Sequence, residues 1–189
     1  MAFLPAPRPS GVRASPCYKS RFHPCTPPMQ HETIAMRAIG RVHSPFRSTL
    51  GMPIQTAAAG QHQGKIEVFE AFAPGLRDVQ EFQYLIVLTH LHEAVEKLEV
   101  TPFMDTQSHG VFATRAPARP NRIGLSIIEL LRLEGRMQHF RGNDMLDGTP
   151  VLDIKPYVPR LDVRETGRIG WFAQGLQQLL GKLSDDRMQ

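Results

Sequence analysis

Arg115, Arg119 and Arg122 stand close together, with Pro117, Pro120 and Asn121 between them. Proline restricts the backbone, so the guanidinium groups of such a loop are held in place. Each guanidinium is a planar fork that fits a carboxylate or a phosphate; the same loop could equally serve structure alone. A second polar stretch has Asp144 and Asp147 bracketing Met145 and Leu146 ahead of a Gly148 turn. One of these carboxylates can cap backbone amides, as Asp commonly does in turns. The other could then accept hydrogen bonds from a ribose or an ammonium group. Asp153 and Lys155 share a face if their segment is a strand. They read either as an ion pair or as an acid/base pair beside a substrate. His90 and His92 have the same spacing, but no third ligand follows at regular spacing, and a metal site is not expected.

These residues need a rigid frame. Alternating apolar positions predict strands from Ile34 to about Val42 and over Gly64–Phe72, and a third, largely apolar strand over Tyr84–His92. Pro74–Leu76 turns the chain into a short amphipathic helix, Arg77–Phe82. Gly110–Thr114 reads as a fourth strand. Leu125–Leu133 fits helix or buried strand, and Gly135-Arg136 followed by alternating Met137, His139 and Arg141 favours a hairpin. Asp147-Gly148 is a turn signal, with Val151–Tyr157 returning as a strand. Trp171–Leu183 carries apolar residues at helical spacing. The pattern is mainly β: a barrel or sandwich with a few short helices and a C-terminal helix.

Composition excludes several classes. Of a net charge of +4 over 189 residues, all of it resides in residues 1–30, which hold Arg8, Arg13, Lys19 and Arg21 and no acid. The remainder has 18 residues of each sign, so bulk charge does not argue for nucleic acid. Six arginines against two acids between Ala113 and Gly142 still make a local basic patch that can attract phosphate. Seven prolines in residues 1–30 predict a disordered basic tail. Both cysteines, Cys17 and Cys25, fall in that tail, so the body has neither a Cys nucleophile nor a disulfide framework, as suits a cytoplasmic protein. No apolar run reaches the roughly 20 residues of a membrane span. The glycine-rich dinucleotide and P-loop motifs, the hydrolase nucleophile elbow and the zincin helix are all absent.

Longer motifs occur in order: IGRVHSPF at Ile39–Phe46, GKIEVFEAF at Gly64–Phe72, GLRDVQEFQYLIVLTHLH at Gly75–His92, GVFATRAPARPNRIGLS at Gly110–Ser126 and DMLDGTPVLDIKPYVP at Asp144–Pro159. Over about Ile34–Asp162 the chain resembles the TsaA-like, or TrmO, family of S-adenosylmethionine-dependent tRNA methyltransferases. The resemblance implies a small closed β-barrel acting as a homodimer. It also implies methylation of the exocyclic nitrogen of threonylcarbamoyladenosine beside the tRNA anticodon, so that the anticodon loop is the partner. The expected parts are the tail at 1–30, the barrel methyltransferase domain at 34–162 and a helical extension at 163–189. Longer family members carry a further C-terminal domain that helps hold RNA.

Position by position, the resemblance implies cofactor contacts at Gln55, Thr56 and Ala57, in a loop where Ile54 replaces the usual Arg. It implies further contacts at His92 and Glu93, at Arg115 of the ATR motif, at Ser126, and at Asp144, Met145, Leu146 and Asp147. Arg122 replaces a common Pro, and Gln83-Tyr84 replaces the usual Ser-His. Arg119, Asn121 and Arg122 are expected on the substrate side. Asp153 or Asp147 is the expected base, with Lys155 or Arg115 steadying negative charge on the acceptor. Methyl transfer to another RNA or a small molecule, or binding without catalysis, are the alternatives.

Overall fold

The computed structural model describes residues 33–176 and 183–184. Its strands are β1 (Gly40–His43), β2 (Gln63–Val68), β3 (Tyr84–His90), β4 (Glu99–Val100), β5 (His109–Gly110), β6 (Ile123–Glu134), β7 (Met137–Arg141) and β8 (Pro150–Pro156). Three four-residue helices accompany them: α1 (Thr56–Ala59), α2 (Pro159–Asp162) and α3 (Phe172–Gly175). Six strands close a barrel in the order β1-β2-β7-β6-β3-β8, and β4 and β5 form a separate pair. Every pairing is antiparallel, and β8 closes the circle on β1 at Gly40↔Val151. A closed circle leaves no free barrel edge to template aggregation.

Alternation along the strands builds the core. Val42, Ile66, Val68, Leu85, Val87, Ile128, Phe140 and Val151 point inward and are buried. Their neighbours point outward, so Leu88 and Ile86 on β3 are half-buried and lie opposite Asp153 and Lys155 of β8. Gly64 lies against the Phe140 ring: a Cβ placed there would sit 2.6 Å from the ring edge. Not every inward residue follows the apolar rule: Thr89 of β3 is buried, and its hydroxyl has no hydrogen-bond partner among the described residues. Gln138 is fully buried, and its amide has no hydrogen-bond partner among the described residues.

The mainly β pattern expected from the periodicity and the closed barrel implied by the family resemblance are present, and the hairpin at Gly135 is β6–β7, with Gly135 at φ +60°. Four elements differ. The strand expected from Ile34 begins only at Gly40, and Ile34 and Met36 are exposed rather than packed on the barrel. The Gly110–Thr114 segment is the two-residue β5 followed by a 3-10 turn, Val111–Ala113. Thr114 is the reason: its backbone N–H and its hydroxyl both donate to the Val111 carbonyl, which bends the chain out of a ladder. The strand over Gly64–Phe72 ends at Val68, because a 3-10 helix with Pro74 inside it starts at Glu70. The expected Arg77–Phe82 helix is a single 3-10 turn, Val79–Glu81, entered through Asp78 at φ +65°. Of the C-terminal helix, Phe172–Gly175 is helical; residues 177–182 lie outside the described residues, as does the whole of the expected tail at 1–30.

Among the described residues, no helix is long and apolar enough to cross a membrane.

Candidate active site

Two loops and one helix meet at the side of the barrel where β6 and β7 run together. The first loop leads from Asn143 to Thr149 and is tied down by Asn143. Its buried amide donates to Ser44 Oγ at 2.7 Å and to the Gln63 carbonyl at 3.4 Å, while its oxygen accepts from the Met145 N–H at 3.2 Å. Gly142, at φ +84°, lets the chain leave β7 sharply, and the N–H groups of Gly142 and Asn143 both donate to the His62 carbonyl. Asp144 is therefore presented from a fixed backbone. Its carboxylate accepts from Ser126 Oγ at 2.7 Å and from Thr56 Oγ1 at 3.0 Å. Burial raises the Asp144 pKa above the usual carboxylate range; the Ser126 and Thr56 hydroxyls and the nearby Arg115 charge oppose that rise.

The second loop carries Arg115. Arg119 holds it in shape by donating from one Nη to the carbonyls of Val111 at 3.1 Å and Thr114 at 3.0 Å, and its guanidinium lies 5.8 Å from the Phe112 ring centre. Ala116 N–H donates to Thr114 Oγ1, and Trp171 Nε1 donates to the Ala113 carbonyl at 2.9 Å. Held from both ends, Arg115 donates through Nε to Gln55 Oε1 at 2.9 Å. Gln55 is the residue before α1 and Thr56 the first residue of it, so this short helix joins the Arg115 loop to the Asp144 loop.

Gln55 and Arg115 stand between two cavities and line both. One, of about 380 Å³, is the more polar of the two: Thr56, Tyr84, Glu129 and Arg141 line it together with Ile127. Glu129 and Arg141 are register partners on β6 and β7 and form an ion pair at 3.3 Å. Arg141 Nε is buried without a hydrogen-bond partner among the described residues, a donor waiting for an acceptor. The other cavity, of about 450 Å³, is largely apolar and is walled partly by Ile169, Trp171, Phe172 and Leu176.

Of the residues expected to hold a cofactor, Gln55, Thr56, Arg115, Ser126 and Asp144 are brought together. Ala57 belongs to α1 beside them. Met145 is part of the barrel core, and the Leu146 carbonyl closes the following turn by accepting from Thr149 N–H. Asp147 caps the β1 end: its Oδ1 accepts from Ser44 N–H at 3.0 Å, and it lines a different, shallow cleft with His43 and His139. His92 and Glu93 follow β3, pair with each other at 3.7 Å and line neither cavity, although the next residue, Ala94, lines the apolar one. Burial lowers the pKa of the neighbouring His90, helped by the charges of Arg122 and His92.

On the substrate side, Arg119 is spent on loop carbonyls. Arg122, at φ +49°, donates to the Ala94 carbonyl at 3.4 Å, and Asn121 is exposed at the loop tip. Asp153 and Lys155 pair with each other at 2.6 Å on the outward face of β8. They line a third cavity, under the 3-10 helices with Phe72 and Phe82, which shares no residue with the other two. The structure does not bring them to the Asp144 cluster. Among the described residues there is no grouping of three or more His, Cys, Asp or Glu fit for a metal ion.

Sequence reading missed Tyr84, Glu129 and Arg141 as site residues. Glu129 and Arg141 sit symmetrically about the Gly135 turn, and placing that hairpin in register was the signal that could have found them.

Residues 41–163 match the family model described as the tRNA-methyltransferase O N-terminal domain. A protein of Pyrococcus abyssi named "Probable S-adenosyl-L-methionine-binding protein" is 49% identical over 155 residues, spanning 82% of this chain and 84% of its own length. The mouse tRNA (adenine(37)-N6)-methyltransferase is 33% identical over 144 residues, 72% of this chain but 33% of the mouse protein. The crystal structure of TrmO from Pseudomonas aeruginosa superposes with a TM-score of 0.62 at 34% identity, covering 74% of this chain and 63% of that one. With a matching domain, close relatives and the same barrel, the chain belongs to the TrmO family.

Proposed function

We propose that this protein is an S-adenosylmethionine-dependent methyltransferase that acts on tRNA, at the exocyclic nitrogen of threonylcarbamoyladenosine beside the anticodon. One observation carries the reading: Gln55, Thr56, Arg115, Ser126 and Asp144 converge from separate chain segments beside a cavity of mixed charge. The mouse relative's name, a tRNA adenine N6-methyltransferase, supports the acceptor.

The residues fit the cofactor. An amino-acid end carries an ammonium and a carboxylate, and the polar cavity offers Glu129 for the first and the unpartnered Nε of Arg141, with Arg115, for the second. Asp144 fixes the hydroxyls of Thr56 and Ser126 and so holds α1 against β6. When bound, S-adenosylmethionine would supply an electrophilic sulfonium methyl; the acceptor nitrogen would take it, the bonding pair staying on sulfur, and would release its proton to solvent water. The chain's own contribution is alignment: Gln55 and Arg115 stand between the two cavities and hold what enters each at a fixed approach. Arg115 is also placed to steady negative charge on an acceptor. Asp153 and Lys155, on the outward face of β8, take no part in this reading.

A homodimer in the cytoplasm fits the same reading. Leu125 and Ile127 are exposed side by side on the outer face of β6, next to Ile86 and Leu88; Ile127 also lines the polar cavity, so a second copy covering this apolar strip would lie at the mouth of that cavity.

The test is transfer of labelled methyl from S-adenosylmethionine to tRNA, followed by mass spectrometry of nucleosides from a strain lacking the gene. Loss of the methylated nucleoside is expected; its persistence would sink the tRNA reading. Cofactor binding without transfer to any RNA would instead leave a binding protein, the role named for the archaeal relative.

A further inference from the structure

We infer that the apolar cavity of about 450 Å³ is the acceptor pocket, taking the purine ring of a nucleotide swung out of its RNA stack, and that the segment beyond the family domain builds its far wall. The inference rests on the methyltransferase reading and deepens it. It begins with the two cavities that Gln55 and Arg115 separate. Charged groups need charged or hydrogen-bonding partners when they leave water, and these are concentrated around the polar cavity, at Thr56, Glu129 and Arg141. The apolar cavity offers Ile54, Val100, Phe103, Met104, Ile169 and Phe172 instead, with Lys97, Thr101 and Thr114 as its polar lining besides the Gln55–Arg115 boundary. A flat heteroaromatic ring suits such a slot, since extruded bases are held between apolar and aromatic side chains.

The far wall is rigidly made. Trp171 is sandwiched, with His109 stacked at 4.9 Å on one side and Phe172 at 3.9 Å. Its Nε1 is committed to the Ala113 carbonyl, two residues before Arg115. Its ring is therefore a pillar, and Phe172 ends the stack. Gly175 packs so closely on Met104 that a Cβ there would meet the Met104 Cβ and carbonyl at 3.0 Å. Further along, Ser184 exchanges hydrogen bonds with Met52 and Gly51, and Leu183 bridges Pro53, two residues before Gln55. The described parts of the C-terminal segment thus tie down both loops that form the boundary. Ile169, Trp171, Phe172 and Leu176 all lie beyond residues 41–163. A family can in this way keep its cofactor side in the shared domain while the acceptor side varies with the appended segment.

Trp171 is the protein's single tryptophan, so its emission reports on this cavity directly. The probes are a synthetic RNA anticodon stem-loop with adenosine next to the anticodon, and S-adenosylmethionine alone. The RNA is expected to shift Trp171 emission saturably and the cofactor alone to leave it unchanged. Thr101→Tyr and Val95→Tyr enlarge exposed lining residues and should fill the space without disturbing the core. Both are expected to weaken the RNA response at least tenfold while cofactor affinity stays within twofold of wild type. The inference is overturned if the cofactor alone shifts the emission, if neither probe does, or if both tyrosine variants respond to RNA as wild type does. An RNA response that the tyrosine variants abolish, in a protein that transfers no methyl group, would keep the pocket and remove the methyltransferase reading.

Discussion

Arg115 Nε donates to the side-chain oxygen of Gln55 at 2.9 Å, across sixty residues of chain. The bond joins the ATR loop to the start of α1 and forms the boundary between the polar and apolar cavities. If the two side chains act as one unit, Gln55→Ala and Arg115→Ala each lower single-turnover methyl transfer about tenfold or more, and the double variant falls little further. Both sit at the surface, so thermal midpoints should move little. Fully additive losses in the double-mutant cycle would show that they act separately.

Asp144 gives a pH signature. Burial raises its pKa in the folded protein, so folding favours the protonated form. Its contribution to stability is fully present below the unfolded carboxylate pKa and is lost as pH rises through the raised folded value. Asn cannot titrate, yet can still pair with both the Ser126 and Thr56 hydroxyls. Asp144→Asn should therefore gain stability relative to wild type as pH rises above the unfolded carboxylate pKa, read as the difference in urea midpoints. A pH-independent difference would contradict the raised pKa.

Asp147 shares the motif with Asp144 but holds Ser44 N–H at 3.0 Å. Asp147→Ala is expected to cost about 0.5–1.5 kcal/mol of stability, the worth of one such hydrogen bond, and to leave cofactor affinity within about twofold. Equilibrium dialysis alongside denaturant unfolding separates the two. A large loss of affinity with no loss of stability would move Asp147 into the site.

The Asp153–Lys155 pair is partly exposed, at 42% and 59% of the side chains, and lies at the third cavity. Such pairs contribute about 0–1 kcal/mol. Asp153→Asn and Lys155→Ala should both keep single-turnover rates within about twofold. A tenfold drop in either would place chemistry on the outer face of β8.

Gly64→Ala tests the barrel itself. The new Cβ would meet the fully buried Phe140 ring at 2.6 Å and the Asn143 side chain at 3.1 Å. Overpacking of this kind typically costs about 1–3 kcal/mol. An unchanged denaturation midpoint would mean that the ring can move aside.

Much of the frame could be read from residue order because alternation, turn glycines and the β6–β7 hairpin are local properties. Ile66 and Val68 face inward whatever lies across from them, and Gly135 turns the chain by its own φ. The ATR and Asp144 motifs were visible through the family resemblance, because each is a continuous stretch of chain. The division of labour within the Asp144–Asp147 loop was not. Both are aspartates near one turn, and only the packing of Asn143 on Ser44 and Gln63 decides that Asp147 meets a backbone amide while Asp144 meets Ser126 and Thr56. The tertiary structure alone also turned Asp153 outward, because the register between β3 and β8, which no single segment contains, determines which side chains share a face. Trp171 shows the same limit: its helical spacing predicted a packed helix, but its place beside Arg115 depends on contacts fifty-eight residues apart.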